Sequence, residues 1–187
     1  MTPEVHIALL HHPVLNRAKE IVATAVTNLD IHDNARSAKT YGVASYHLVT
    51  PLDAQIELVT RILAHWREGF GAARVPDRSD ALSLVHIQRT LDDAVAHITA
   101  LSGTPPVLVA TCARSKGSSV SWRDMRARMA SHGGPYLILF GTGHGLADEV
   151  LERADVLLAP IGTPTQWNHL SVRSAVAICL DRLLGDW

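Results

Sequence analysis

Short aliphatic runs alternate with helix-length segments along most of the chain, and this alternation constrains the fold more than any other feature. In "VLVATCA" and "YLILFG" the runs are nearly continuous in apolar residues. Strands joined by helical crossovers are typical of a parallel sheet, and continuous apolar strands indicate burial on both faces. Six such runs predict strands at residues 5–10, 46–50, 82–87, 107–113, 136–141 and 156–161.

The segments between these runs carry apolar residues at helical spacing. Asp30 and Ser121 are predicted N-caps, and Gly42 is placed to end the first helix. Residues 69–80 are predicted to be a loop, and residues 14–27 an extended segment before the first helix. The predicted fold class is α/β, a six-stranded parallel sheet with helices on both faces. The predicted helices lie at residues 30–42, 52–66, 91–101, 121–134, 146–153 and 170–185.

Length and composition suit a single domain over residues 1–187. Hydrophobic residues make up 47% of the chain and charged residues 19%, as in a globular protein. No apolar run approaches the ~18–20 residues that cross a bilayer, so no membrane partner is expected. The two cysteines, Cys112 and Cys179, lie in apolar segments. A disulfide framework is therefore not expected, and the cytoplasm is the predicted location.

The charge distribution is uneven although the formal net charge is only −1. A nearly neutral chain lacks the overall basic footprint of a nucleic-acid-binding domain, and no DNA partner is expected. Residues 114–128, however, carry five cations against Asp124. This stretch is either a local basic patch or an ordinary solvated helix face beside a loop.

The stretch "FGTGHGL" at residues 140–146 has three alternating glycines directly after a predicted strand. It fits neither the G-x-G-x-x-G turn of a dinucleotide-binding fold nor a P-loop ending in Gly-Lys-Ser/Thr. Two further loops, "TCARSKG" and "GTPTQWNH", also follow strands. Because carboxyl ends of parallel strands meet at one edge, the three loops predict a site for a nucleoside-like ligand read by main-chain groups. The alternative is a turn whose glycines only relieve crowding.

Three longer stretches resemble, in order and spacing, the three motifs of the SPOUT RNA methyltransferases: "NLDIHDNARSAKTYGV", "LILFGTGHGL" and "VLLAPIGTPTQWNHLSVRSAVAICL". The whole chain is similar to a stand-alone SPOUT family of predicted S-adenosylmethionine-dependent RNA methyltransferases. That family typically reads "ALLHYPV", "TNLDIHD", "FGTGWGL" and "NHLSVRSA". The resemblance implies a C-terminal trefoil knot, a homodimer, S-adenosyl-L-methionine bound in the knotted loops, and a tRNA or rRNA substrate.

The resemblance also implies three catalytic residues, Arg36, Asn34 and Ser171. Arg36 would approach the methyl acceptor or its phosphate, which suits guanidinium geometry, or it is a surface arginine. Asn34 is either a site residue or a hydrogen-bonding residue of the first helix. Ser171 either orients the acceptor or caps the last helix. The implied cofactor-binding residues are Thr111, Cys112, Phe140, Gly141, Thr142, Gly145, Pro160, Ile161, His169, Leu170 and Ser171.

Several positions depart from the family pattern. Gly143 and His144 stand where many members have a glutamate and an aromatic residue, and Ser171 stands at an asparagine position. These departures leave a second interpretation open, a non-catalytic SPOUT-like module that binds cofactor or RNA. A third is an unrelated flavodoxin-like or nucleotide-binding protein. His144 or His169 is a candidate general base, since histidine titrates near neutrality. No His/Cys spacing matches a metal site, so no metal is expected.

Overall fold

A six-stranded parallel sheet forms the centre of the protein, as the alternation predicts. The computed structural model describes residues 3–113, 119–162 and 167–186. The strands are β1 (Glu4–Leu10), β2 (Val14–Leu15), β3 (Ile21–Val22), β4 (Ser45–Val49), β5 (Val85–Gln88), β6 (Val107–Ala110), β7 (Pro135–Gly141) and β8 (Val156–Leu157). Six of them pair in the order β5-β4-β1-β7-β6-β8, and every neighbouring pair is parallel. The strands β2 and β3 form a separate antiparallel pair.

Helices cover both faces of the sheet. They are α1 (Asn28–Thr40), α2 (Asp53–Arg67), α3 (Phe70–Arg74), α4 (Pro76–Leu82), α5 (Leu91–Ser102), α6 (Trp122–His132), α7 (Asp148–Arg153) and α8 (Val172–Leu184). Successive residues of a strand point to opposite faces. Ile7 of β1 accordingly joins a core with α1, α2, α4, α6 and α8, whereas Ala8 joins one with α5 and α7. None of the described helices is long and apolar enough to span a membrane.

The helix caps agree with the sequence at α6 and differ at α1. Ser121 caps α6 as predicted, because its side chain accepts from the Asp124 amide. The prediction of Asp30 as the first cap is wrong: Thr27 holds that position, and its side chain accepts from the Asp30 amide. The Asp30 carboxylate in turn accepts a 2.5 Å bond from the Thr27 hydroxyl. Gly42 follows α1 with φ of 69°, the left-handed conformation expected of a residue that ends a helix.

Two segments form more structure than their sequence predicts. Residues 69–80 are not a loop but largely the short helices α3 and α4, and Pro76 is in the first turn of α4. Gly71 lies within α3 and is not a turn residue. A Cβ at this position would lie 2.8 Å from the Trp66 ring of α2. The glycine lets α3 pack closely on α2. Residues 14–27 contain the hairpin of β2 and β3.

A cluster of two buried and two half-buried histidines lies on the α5 side of the sheet, towards the amino ends of β1, β4 and β5. The Ser45 hydroxyl is 2.6 Å from Nδ1 of His6 and 2.7 Å from Nε2 of His47. The Glu4 carboxylate lies 3.1 Å from Nε2 of His6. The rings of the three histidines nearest α5 lie 4.5 to 5.5 Å apart, centroid to centroid. The members, from the Glu4 end, are His6, His47, His86 and His97.

Candidate functional site

The carboxyl ends of β7, β6 and β8 lie side by side, so the loops that follow them meet at one edge, as the sequence predicts. The Thr111 amide and hydroxyl both donate to the Leu139 carbonyl, at 3.1 and 2.8 Å. The Asn168 side chain donates to the Ala113 carbonyl at 2.7 Å, which ties the loop after β8 to the loop after β6. The parts of these loops outside the described residues are 114–118 and 163–166.

A groove of about 340 Å³ opens between the loop after β8 and helix α8. Its volume falls in the range of small-molecule sites. Three of the predicted cofactor residues line it, namely Ile161, His169 and Leu170. Ile161 packs partly against the core, whereas 46% of Leu170 is exposed, so apolar surface is open to a flat ring. The sequence does not single out Ile178 and Arg182 of α8, which also line the groove.

The three glycines of residues 140–146 have different roles. A Cβ at Gly141 would lie 2.6 Å from the Leu146 amide, and one at Gly143 would lie 2.8 Å from the Leu15 carbonyl. These two glycines are therefore required by contacts within the chain. At Gly145 a Cβ would meet nothing within 4 Å, and φ is 108°. Of the three, Gly145 is the position with room beside its backbone for an approaching ligand.

Much of the main chain in this glycine loop is already hydrogen-bonded within the protein. The Thr142 amide donates to Leu10, and the His144 amide donates to Leu15. The Gly145 amide donates to the Thr142 carbonyl, and its own carbonyl accepts from the Leu15 amide. The sequence predicts exposed amides that read a ligand, but these three are engaged. A ligand therefore meets a loop whose shape is fixed by the segment after β1.

The predicted catalytic residues of the first motif have different surroundings. Asn34 is fully buried, and its amide lies 3.4 Å from the Tyr46 hydroxyl. Burial raises the pKa of Tyr46 above its usual range. Arg36, by contrast, is exposed on α1. Burial lowers the pKa of His32 on the same helix, as do the charges of Arg78 and Arg36, whereas Asp33 raises it.

Motifs one and three meet where α1 and α8 begin. The Arg173 guanidinium lies 3.9 Å from the Asp30 carboxylate and 3.8 Å from that of Asp33. Ser171 is the N-cap of α8, and its hydroxyl accepts from the Ser174 amide at 3.2 Å. Of the two interpretations of Ser171, the capping one has a visible partner.

The remaining predicted cofactor residues fall into two groups. Phe140 is buried in the core on the α1 side, so its side chain is structural. Four residues are partly exposed at the strand ends and loops, and they are Thr111, Cys112, Thr142 and Pro160. Among the described residues, no group of three or more histidine, cysteine, aspartate or glutamate side chains is arranged to hold a metal ion.

Relatives of known sequence point to RNA methylation. The chain is 43% identical to a tRNA (guanine-N(1)-)-methyltransferase of Oleidesulfovibrio alaskensis over 97% of this chain and 42% of that protein. It thus spans about two fifths of the length of that relative. It is 39% identical to an uncharacterized protein of Aquifex aeolicus, over 97% of this chain and 88% of that protein.

Solved structures share the fold at low sequence identity. TrmJ from Z. mobilis ZM4 superposes with a TM-score of 0.59 and 18% identity, over 100% of this chain and 70% of that chain. The A. aeolicus TrmH/SpoU tRNA modifying enzyme gives a TM-score of 0.57 and 13% identity, over 98% and 75%. A family model described as SAM-dependent RNA methyltransferase matches residues 4–185. The chain therefore belongs to the SAM-dependent RNA methyltransferase family, and its motif resemblance to the SPOUT enzymes is confirmed.

Proposed function

We propose that this chain transfers a methyl group from S-adenosylmethionine to an RNA at the edge formed by β7, β6 and β8. The observation that carries the proposal is that the loops after β7, β6 and β8 lie at one edge of the sheet, where the loop after β8 and helix α8 line a groove of about 340 Å³. Parallel α/β sheets bind ligands at the carboxyl ends of their strands. Family membership gives the class of cofactor, and this edge offers a site of suitable size.

The residues at this edge fit the chemistry of the cofactor. Ile161 and Leu170 offer apolar surface for the adenine ring. Thr111 and Cys112, both partly exposed after β6, would line the ribose or methionine side. The open backbone at Gly145 leaves room for close approach.

The protein's own part in the reaction is to position the acceptor and remove its proton. When bound, S-adenosylmethionine supplies a methyl group on a sulfonium centre. Arg36 is exposed and can hold an RNA phosphate through its planar guanidinium. His144 and His169 are exposed on the loops after β7 and β8, which makes either available to accept a proton. Asn34, which is buried, is assigned to supporting α1 rather than to contacting RNA.

The RNA we propose is tRNA, with rRNA as the alternative. Support comes from the relatives named tRNA (guanine-N(1)-)-methyltransferase. Those proteins are more than twice as long as the region they share with this chain, so the position methylated is not carried over. The corresponding experiment compares tRNA and rRNA nucleosides by mass spectrometry in cells with and without the gene. Loss of one methylated nucleoside from tRNA is expected, and unchanged nucleosides in both RNAs would contradict it.

We further propose that the protein is a homodimer with a C-terminal trefoil knot, and that it works in the cytoplasm. The groove residue Leu170 is 46% exposed and Trp167 is 77% exposed, which supports a surface that a second copy covers. Both cysteines are free thiols, which suits a reducing compartment. The knot is supported by the motif resemblance.

The direct test is calorimetric titration of the purified protein with S-adenosylmethionine, followed by methyl transfer to total tRNA. Binding and transfer are both expected. Arg36→Ala should retain cofactor binding and lose transfer, because it removes the phosphate contact and leaves the groove intact. Arg61→Ala, which removes an exposed arginine of α2, is the matched control. Absence of measurable binding by the wild-type protein would reject the proposed function.

A non-catalytic binding module is the second candidate function. The observation that favours it is that two of the three predicted catalytic residues have structural partners, Asn34 at Tyr46 and Ser171 at the start of α8. Under this alternative the wild-type protein binds cofactor, and transfer to any RNA stays at background. Transfer that Arg36→Ala abolishes would exclude it.

A further inference from the structure

A chain of side-chain hydrogen bonds links the end of β1 to the glycine loop. Nδ1 of His11 lies 3.0 Å from the Thr24 hydroxyl, which lies 2.5 Å from the hydroxyl of Thr142. The Thr142 hydroxyl donates to the Leu10 carbonyl at 3.1 Å. His11 is fully buried, and Thr142 belongs to the loop whose shape the candidate site depends on.

The direction of each bond follows from the proton count. Thr142 uses its only hydroxyl proton on Leu10, so Thr24 must donate to Thr142. The competing acceptor for Thr24, the His11 carbonyl, is farther away at 3.5 Å. The Thr24 oxygen then accepts from Nδ1–H of His11. Burial lowers the pKa of His11 to about 4, against the opposing effects of Asp30 and the Ala25 carbonyl, so the ring is neutral near pH 7.

The main chain reinforces the same connection. The Thr24 amide donates to the His11 carbonyl at 2.8 Å. Leu15 of β2 exchanges two backbone bonds with the glycine loop, one with His144 and one with Gly145. A Cβ at Gly143 would lie 3.5 Å from the Thr24 methyl group, so the apolar side of Thr24 faces the loop.

We infer that His11 and Thr24 are positioning residues that hold the glycine loop in its cofactor-binding shape through Thr142. This inference rests on the proposed function. Neither residue needs to touch the cofactor or the RNA. The hairpin of β2 and β3 is thereby an integral part of the site, although it lies far from the motif loops in the sequence.

The experiment uses matched substitutions of Thr24. Thr24→Val removes the hydroxyl and keeps the shape, whereas Thr24→Ser keeps the hydroxyl. Thr99→Val is the control, because Thr99 is also partly exposed and bonded to one carbonyl, but on α5. The readouts are hydrogen exchange of the His144 and Gly145 amides and calorimetric affinity for S-adenosylmethionine.

Thr24→Val should speed exchange of those two amides and weaken cofactor affinity, each about tenfold, because two neutral hydrogen bonds are lost. Thr24→Ser should stay within about twofold of wild type, and Thr99→Val should change neither readout. His11→Asn, which can donate from the same place as Nδ1, should also stay near wild type. Exchange and affinity in Thr24→Val equal to wild type would overturn the inference, as would a looser loop with unchanged affinity.

Two further arms keep the outcome decisive. Thr142→Val breaks the same bond from the other side, and the Thr24→Val/Thr142→Val double variant should lose less than the sum of the two single losses, because the two substitutions share one hydrogen bond. Additive losses would overturn the inference, and the pair also covers the case in which one variant fails to fold. If the wild-type protein binds no S-adenosylmethionine, the proposed function fails, whereas hydrogen exchange still decides whether Thr24 holds the loop.

Discussion

At the scale of single residues, the side chains of the three motifs divide into those held by the fold and those open to a ligand. Asn34 and Phe140 are buried, and Ser171 caps α8. Arg36 and His169 are exposed. The chemistry of the site therefore depends on fewer side chains than the motifs contain, and the others determine where those few lie.

Substitution of Ser171 separates capping from catalysis. Ser171→Ala removes the acceptor of the Ser174 amide and should lower the free energy of unfolding by about 0.5–2 kcal/mol, measured by urea denaturation. Ser171→Asn preserves a good N-cap and should restore both stability and methyl transfer. A Ser171→Asn protein of normal stability without methyl transfer would show instead that the hydroxyl acts on the acceptor.

Substitution of Gly141 tests whether the glycine loop tolerates a single methyl group. Gly141→Ala would place a Cβ 2.6 Å from the Leu146 amide, so the loop must move. We expect a lower melting temperature and at least about a tenfold loss of cofactor affinity by calorimetry. Gly134→Ala is the control, because its Cβ would meet only the His132 carbonyl, at 4.0 Å. Equal affinity in the two variants would contradict this role of Gly141.

At the scale of elements, periodicity predicts which segments are strands but not what holds them. The glycines, proline and charges of residues 69–80 suggest a loop, yet Gly71 serves close packing on Trp66, a contact that only the folded structure reveals. The two-residue strands β2 and β3 are too short for any periodic signal. Leu15 of β2 is hydrogen-bonded to the glycine loop, more than a hundred residues away, and β3 pairs with β2. Asn34 likewise reads as a motif residue because its position on the buried face of α1 has no signature in the sequence.

The histidine cluster on the α5 side of the sheet should make the stability of the fold sensitive to acid. Burial and the charges of the other three histidines together lower the pKa of His47 to about 3. Burial and the charges of His97, Arg67 and His6 lower that of His86 to about 4. Burial also lowers the pKa of His6, against the opposing effect of the Glu4 carboxylate. In the unfolded chain each histidine titrates near 6.5.

Because the folded-state pKa values are depressed, the unfolded state binds more protons below about pH 6.5, and stability falls as the pH drops from there. For His47 alone the free energy of unfolding should decrease by about 2 kcal/mol between pH 7 and pH 5. His47→Gln keeps a donor towards Ser45 and should remove that part of the decrease in denaturant titrations. His132→Gln, on the exposed end of α6, should leave the full decrease in place. A His47→Gln protein with the wild-type pH dependence would refute this assignment.

At the scale of the whole molecule, the second copy in the proposed dimer covers the exposed apolar surface of the groove. Light scattering should give a mass about twice the 20.3 kDa of one chain. Leu170→Asp places a charge on the exposed apolar surface and should give monomers with weakened cofactor binding. Leu101→Asp, at a residue of α5 that is 64% exposed, is the control and should remain dimeric. A monomeric wild-type protein that binds cofactor normally would contradict a dimer-dependent site.

The strand order also governs how this protein can be made. Strand β1 pairs with β4 on one side and with β7, some 130 residues later, on the other. As the chain leaves the ribosome, β1, β4 and β5 can pair first, and the second edge of an apolar β1 stays open until residues 135–141 emerge. Open apolar edges favour aggregation, and such long-range pairing is slow. We therefore expect nascent chains of this protein to depend on chaperones until β7 arrives, and the strand that joins the two halves of the sheet is the one that ends in the glycine loop.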